Sequence, residues 1–267
     1  MRKIVDCVMF YNELDMLEFR LEYLSDSVDF FVISEATRTH VGKEKPLFLR
    51  ENLKRFERHL KKMVIVECDD LEEYDPSLNA WINESRHRQS ISKGVDRLGL
   101  DPSDVILVSD VDEIPDAEIL SDIRKSGIDG LHSLVQDMYY YNLGCKIVDT
   151  RWNFPKVADF STYSQIGPQG MRMATFAEGT KSIERGGWHF SYFGSYEFIR
   201  NKIENFAHQE FNHEELKNIE RIKSRVENRK NLYDEQKFEF IEPSENEYLP
   251  EGYQKLLEIS GISRPNT

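Results

Sequence analysis

The sequence predicts an α/β fold in which a mostly parallel sheet is flanked by helices on both faces. Three observations carry this expectation. Short apolar runs of buried-strand type recur at residues 3–10, 29–34, 63–66 and 104–109. Segments with helical spacing separate them, as crossover connections between parallel strands require. The chain has 267 residues, which suits one large α/β domain with or without an appendage.

The elements follow in order. Residues 3–10 are β-rich, and Tyr11, Asn12 and Glu13 punctuate them before Leu14, Leu17, Leu21 and Leu24 recur at helical spacing. Residues 29–34 and 63–66 read as the second and third strands. Residues 80–98 carry Ile82, Ile91, Val95 and Leu98 among charges and read as a helix, and 104–109 as the fourth strand. Aromatic residues crowd positions 139–193, as core or as the lining of a sugar-binding cleft. Beyond these, Phe198, Ile199, Ile203 and Phe206 form one helical stripe, and Leu216, Ile219, Ile222 and Val226 another. Residues 1–210 are expected to form the main domain and 211–267 a charged helical C-terminal appendage.

Charge and composition exclude several classes. With 35 basic and 48 acidic side chains the net charge is −13, which disfavours nucleic acid and anionic membranes as partners. Three widely spaced cysteines, Cys7, Cys68 and Cys145, fit reduced thiols rather than a disulfide framework. With no signal-like apolar segment at the start and no run long enough to span a bilayer, a cytoplasmic protein is expected.

The strongest chemical signal is residues 104–115, DVILVSDVDEIP. A buried strand ends directly in acids, and strand alternation sends Asp110 and Asp112 to one side and Val111 to the other. Two converging carboxylates at a strand end suit Mg²⁺ or Mn²⁺ completed by water and phosphate oxygens. Ligands of such sheets bind at the carboxyl ends of strands. A helix N-terminus with acids in its first turn is the competing explanation. A second signal is GGWHFSYFG at 186–194, where His189 sits in an aromatic run and is either a core histidine or a further metal ligand.

Four blocks together resemble glycosyltransferase family 17: residues 10–15 (FYNELD), 34–37 (SEAT) through 42–47 (GKEKPL), 109–115 and 186–194. The resemblance spans about residues 3–210. It implies a GT-A-type, Rossmann-like fold and a metal-dependent, inverting enzyme with a nucleotide-sugar donor, UDP-GlcNAc above all, and a glycan or other hydroxyl as acceptor. It also implies that Asp110 and Asp112 hold Mn²⁺ or Mg²⁺ and the donor diphosphate, with His189 completing the metal site.

Inverting chemistry then needs a carboxylate as general base. Asp137 is the first candidate and Glu184 the second, with Asp149, Asp159 and Glu178 also in the interval. For the donor, Asn12, Glu13 and Glu35 follow the first two strands, Arg86 and Arg88 lie on the helix before the metal strand, and Arg172 is a further phosphate contact. A metal-dependent nucleotidyltransferase or phosphohydrolase, or a carbohydrate-binding module without catalysis, are the alternatives. The phosphate-cradling glycine loop that a nucleotidyltransferase wants near its first strand is absent from residues 11–14.

Overall fold

Strand β1 (Ile4–Phe10) explains the two covered faces. Ile4, Val8 and Phe10 enter one core while Val5, Cys7 and Met9 enter another, the period-two alternation of a strand buried on both sides. The computed structural model describes residues 1–75, 77, 79–176, 180–233 and 237–259. After β1 come helix α1 (Leu14–Tyr23), β2 (Phe30–Ala36), the short α2 (Phe48–Glu51), β3 (Met63–Cys68), α3 (Ala80–Ser90), α4 (Ser92–Val95) and β4 (Val105–Asp110). The four strands pair in parallel in the order β4-β1-β2-β3. Leu17 and Leu21 of α1 cover one face, and Ile91 and Val95 cover the other.

From there the chain leaves the predicted pattern. It continues through β5 (Glu113–Pro115), α5 (Ala117–Ser126), β6 (Leu131–Leu134), β7 (Gln136–Tyr140), β8 (Cys145–Trp152), β9 (Lys156–Asp159), α6 (Phe160–Met173), β10 (Lys181–Ile183) and β11 (Gly187–Ser191). The first sheet has seven strands in the order β10-β6-β9-β4-β1-β2-β3, and β9 runs antiparallel to both β4 and β6. The sheet is therefore mixed. The reason is local: β4 delivers the chain towards the second sheet, and β9 brings it back from β8 through a three-residue link, so it enters pointing the other way.

The second sheet has the order β12-β8-β7-β11-β5, with β12 (Phe238–Phe240) at its edge. One face packs on helices α7 (Tyr196–Asn205) and α8 (Ile219–Glu227) through Met138, Tyr140, Ile199 and Ile222, and the other meets α1 through Tyr139, Trp188 and Phe19. Segment 211–267 contributes α8, the edge strand β12 (Phe238–Phe240) and α9 (Gln254–Ile259), whose Leu256 is fully buried against that second face. Among the described residues no helix is long and apolar enough to cross a membrane.

Candidate active site

The two sheets meet where β4 ends, and a cleft of about 730 Å³ opens there. Its floor is the acidic turn, and that turn is pinned from beneath. Arg20, fully buried on α1, pairs with Asp6 of β1 at 2.6 Å. The same guanidinium donates to the carbonyls of Asp110 (3.0 Å) and Glu113 (2.8 Å) and to Ser109 Oγ (2.7 Å). One planar, five-donor group thus fixes the backbone on which the acids stand.

Asp110 and Asp112 both line the cleft, while Val111 turns into the core. Asp110 is clamped by Arg172 (2.9 Å) from α6 and Arg88 (3.3 Å) from α3. Burial acts to raise its carboxyl, but the two guanidiniums outweigh it and hold the group down at about 2. Arg172 also grips the buried Glu113 with two bonds of 3.0 and 2.8 Å, and Trp152 Nε1 donates to the same carboxylate at 2.8 Å. Helix α6 reaches this position because Gly167, at φ +67°, and Pro168 break it. The segment beyond the break carries Gln169 and Arg172 into the cleft wall.

Asp112 faces other partners. Lys202 Nζ of α7 lies 2.7 Å from its Oδ2, and His189 Nε2 of β11 lies 3.6 Å from its Oδ1. Burial again opposes ionisation, and Lys202 with His189 overcomes it, so the carboxyl is held well below its usual range. His189 is fixed from both sides: Phe190 N donates to the Asp112 carbonyl at 2.8 Å, and the Trp152 ring lies 4.3 Å from the imidazole. The next cleft residue on this strand's exit, Tyr192, has φ +61°, a backbone that bulky side chains rarely adopt.

The remaining expected residues divide sharply. Arg88, Arg172 and Glu13 line the cleft, and Glu13 Oε2 accepts from the Tyr11 and Asn12 amides at 3.2 and 3.0 Å. Asn12 itself donates to Asn201 and lies outside the lining. Glu35 is buried below the cleft, accepting from the amides of Leu49 (2.8 Å) and Arg50 (3.3 Å) at the start of α2. Arg86 faces solvent and pairs with Glu72 at 2.8 Å.

Neither expected base reaches the cleft. Met138 and Tyr140 of β7 line it, so Asp137, the residue before Met138, falls with Tyr139 on the opposite face and pairs with Lys146 at 2.6 Å. Glu184 pairs with Arg151 on the surface. Asp149 accepts from the Lys237 amide, Asp159 caps α6 through Thr162 N at 2.8 Å, and Glu178 lies outside the described residues.

Residues unmarked by sequence complete the site. Lys202 is a helix lysine with no local signal. Glu84 of α3 lines the cleft and pairs with Arg88 at 2.8 Å. His40 and His87 face each other at 3.3 Å, and His87 Nε2 donates to the Ser34 carbonyl at 2.9 Å. Among the described residues no group of three or more His, Cys, Asp or Glu side chains is arranged to hold a metal ion. The arrangement can neutralise concentrated negative charge through Arg88, Arg172 and Lys202, and at the strand ends it presents the acid–imidazole pair Asp112 and His189.

Proteins named beta-1,4-mannosyl-glycoprotein 4-beta-N-acetylglucosaminyltransferase from Rattus norvegicus and Homo sapiens are each 34% identical over 120 residues, 43% of this chain and 22% of theirs. A solved structure, the inositol-1-phosphate CTP transferase from T. maritima, superposes with a TM-score of 0.41 and 10% identity over 72% of this chain and 90% of that one. The sequence model of glycosyltransferase family 17 matches residues 1–242, through both strand-end acids and His189, and the chain belongs to that family.

Proposed function

We propose that the protein is an inverting sugar transferase of GT-A type that moves GlcNAc from UDP-GlcNAc to a hydroxyl of a glycan acceptor. The observation that carries this is Asp112 and His189 on one cleft wall, 3.6 Å apart, beside three cationic side chains. Family membership supports a nucleotide-sugar donor, and the mannosyl-glycoprotein named for the relatives supports a carbohydrate acceptor.

The donor set fits a divalent ion of the Mn²⁺ or Mg²⁺ kind. Such ions are commonly held by one or two protein ligands, with phosphate oxygens and water filling the remaining positions. Asp112 and His189 would be those ligands. Asp110 has both oxygens taken by guanidiniums and serves better as the group that orients Arg88 and Arg172. When bound, the ion supplies Lewis-acid stabilisation of the charge that grows on the leaving diphosphate.

This chain's own groups do the rest. Lys202, Arg88 and Arg172 set a positive field at the strand ends, where phosphate charge develops. Met138, Tyr140 and Trp152 make the adjoining wall apolar and so strengthen that field by excluding water.

Calorimetry with UDP-GlcNAc, with and without Mn²⁺, tests the reading on wild type and Asp112→Ala. Wild type is expected to bind in a metal-dependent way, and the variant to lose at least about 100-fold in affinity. Undiminished binding by a folded Asp112→Ala protein would sink the metal assignment. Screening sugar nucleotides for release of nucleoside diphosphate then identifies the donor.

A further inference from the structure

The acceptor's base has no evident occupant among the acids of the cleft. Among the described residues Glu13, Glu84, Asp110 and Asp112 line it. Each is engaged: Glu13 by two backbone amides, Glu84 by Arg88, Asp110 by two guanidiniums and Asp112 by Lys202. The histidines of the lining sort just as clearly. His40 and His87 face each other, and burial drives their protonation down to about 4 and about 3. His189 faces Asp112.

His208 differs from all of these. Its Nδ1 lies 2.6 Å from Glu210 Oε1. A carboxylate only accepts, so Nδ1 carries a proton, which leaves Nε2 as the ring position able to take one from a ligand. Nε2 has no hydrogen-bond partner among the described residues. The pair stands at the open side of the cleft, with the two side chains 47% and 57% exposed, and the acid orients the imidazole through Nδ1.

The surroundings of His208 suit a sugar. Trp81 meets its ring edge-on at 4.5 Å, with Phe206 at 5.5 Å and Phe211 at 5.8 Å. Trp81 is 43% exposed, a large apolar surface left open at the cleft. The C–H face of a pyranose packs on such rings while its hydroxyls remain free for polar groups. Lys202 and His208 are six residues apart. Helix α7 ends between them, and both side chains line the same cleft.

We propose that this aromatic end of the cleft seats the acceptor sugar and that His208, held by Glu210, is the base that takes the acceptor's hydroxyl proton. The inference rests on the transferase reading above. The proton moves to His208 Nε2 as the acceptor oxygen bonds to C1 of the donor sugar. The bond from C1 to the diphosphate oxygen breaks, and its electron pair leaves with the nucleoside diphosphate. The imidazolium then returns its proton to solvent.

The test follows UDP release and glycoside formation by the full chain with UDP-GlcNAc, Mn²⁺ and methyl β-mannoside. His208→Ala is expected to lower kcat at least about 100-fold while UDP-GlcNAc affinity stays within about twofold, and added imidazole to restore part of the rate. Glu210→Gln, a positioning change, is expected to lower kcat about 10-fold or more and to move the acidic limb of the kcat–pH profile. Trp81→Ala is expected to raise the acceptor's KM more than it lowers kcat. Full activity of His208→Ala, or a loss that imidazole does not relieve together with an unmoved pH limb in Glu210→Gln, overturns the assignment. A wild-type chain that releases no nucleoside diphosphate from any sugar nucleotide overturns the transferase reading and this inference with it.

Discussion

Lys202 Nζ and Asp112 Oδ2 lie 2.7 Å apart, so the acid facing His189 already holds a cation contributed by a helix of the second sheet. The lysine is half-buried and also sits 5.4 Å from the Tyr192 ring centre. Lys202→Met removes a competing positive charge and leaves Asp112 with His189 alone. Affinity for Mn²⁺ without nucleotide is expected to rise, read by calorimetry. Stability of the metal-free protein is expected to fall by about 3 kcal/mol, read by urea unfolding, because a buried charge loses its partner. Weaker Mn²⁺ binding by the variant refutes competition between the two cations.

Arg172 and Arg86 separate a buried ion pair from an exposed one. Glu113 has no exposed side-chain surface, and Arg172 supplies two of its bonds. Arg172→Met is expected to cost about 3–5 kcal/mol by stranding that carboxylate. Arg86→Ala, on a solvent-facing pair with Glu72, is expected to cost less than about 1 kcal/mol. Equal losses in chemical denaturation contradict the bracing role given to Arg172.

The His40–His87 pair predicts a particular acid sensitivity. Burial lowers His87 from the usual 6.5 to about 3, so the folded protein leaves it neutral where the unfolded chain binds a proton. With the unfolded state binding more protons, stability falls as pH falls below 6.5 and keeps falling towards 3. Between pH 6.5 and 5 the contribution of His87 is about 2 kcal/mol. Urea titrations of wild type and His87→Gln over that interval check this. The variant is expected to show the shallower pH slope, and identical slopes refute the assignment.

Gly187 marks where the second sheet closes on the turn. It has φ +127°, and a Cβ there would lie 2.1 Å from the Ile114 carbonyl oxygen and 2.8 Å from Pro115 Cα. Gly187→Ala is expected to lose about 3 kcal/mol and to weaken Mn²⁺-dependent UDP-GlcNAc binding, because His189 is two residues along the same strand. Gly99→Ala, at φ +55° with open space around it, is the control and is expected to lose about 1 kcal/mol in thermal unfolding with binding intact.

The parts of the fold that were legible in the sequence are those governed by local periodicity. Strand β4 announces itself as an apolar run that ends in Ser109 and Asp110, and Asp112 follows at the spacing that puts both acids on the cleft. The second sheet was hidden because all its strands but β8 are short and its pairing is nonlocal: β11 lies between β5 and β7, far apart in sequence. Asp137 shows the cost. Its residue type and its place before the tyrosines suggested a base, but only the register of β7 reveals that it faces away from the cleft. Arg20 and Lys202 were illegible for a related reason. Each is a charged residue on a helix, and its meaning depends on an acid 14 or 90 positions away.

The short links between the sheets carry a mechanical consequence. Two residues join β4 to β5, one joins β6 to β7, and three each join β8 to β9 and β10 to β11. The chain thus stitches the sheets together four times along one seam, and the first stitch is Val111–Asp112 itself. The halves cannot hinge apart as separate bodies without dragging the acidic turn along. The walls free of that constraint are those away from the seam, formed by the loop of residues 38–45, by α3, and by α7 with the segment after it, which carry Lys202 and His208.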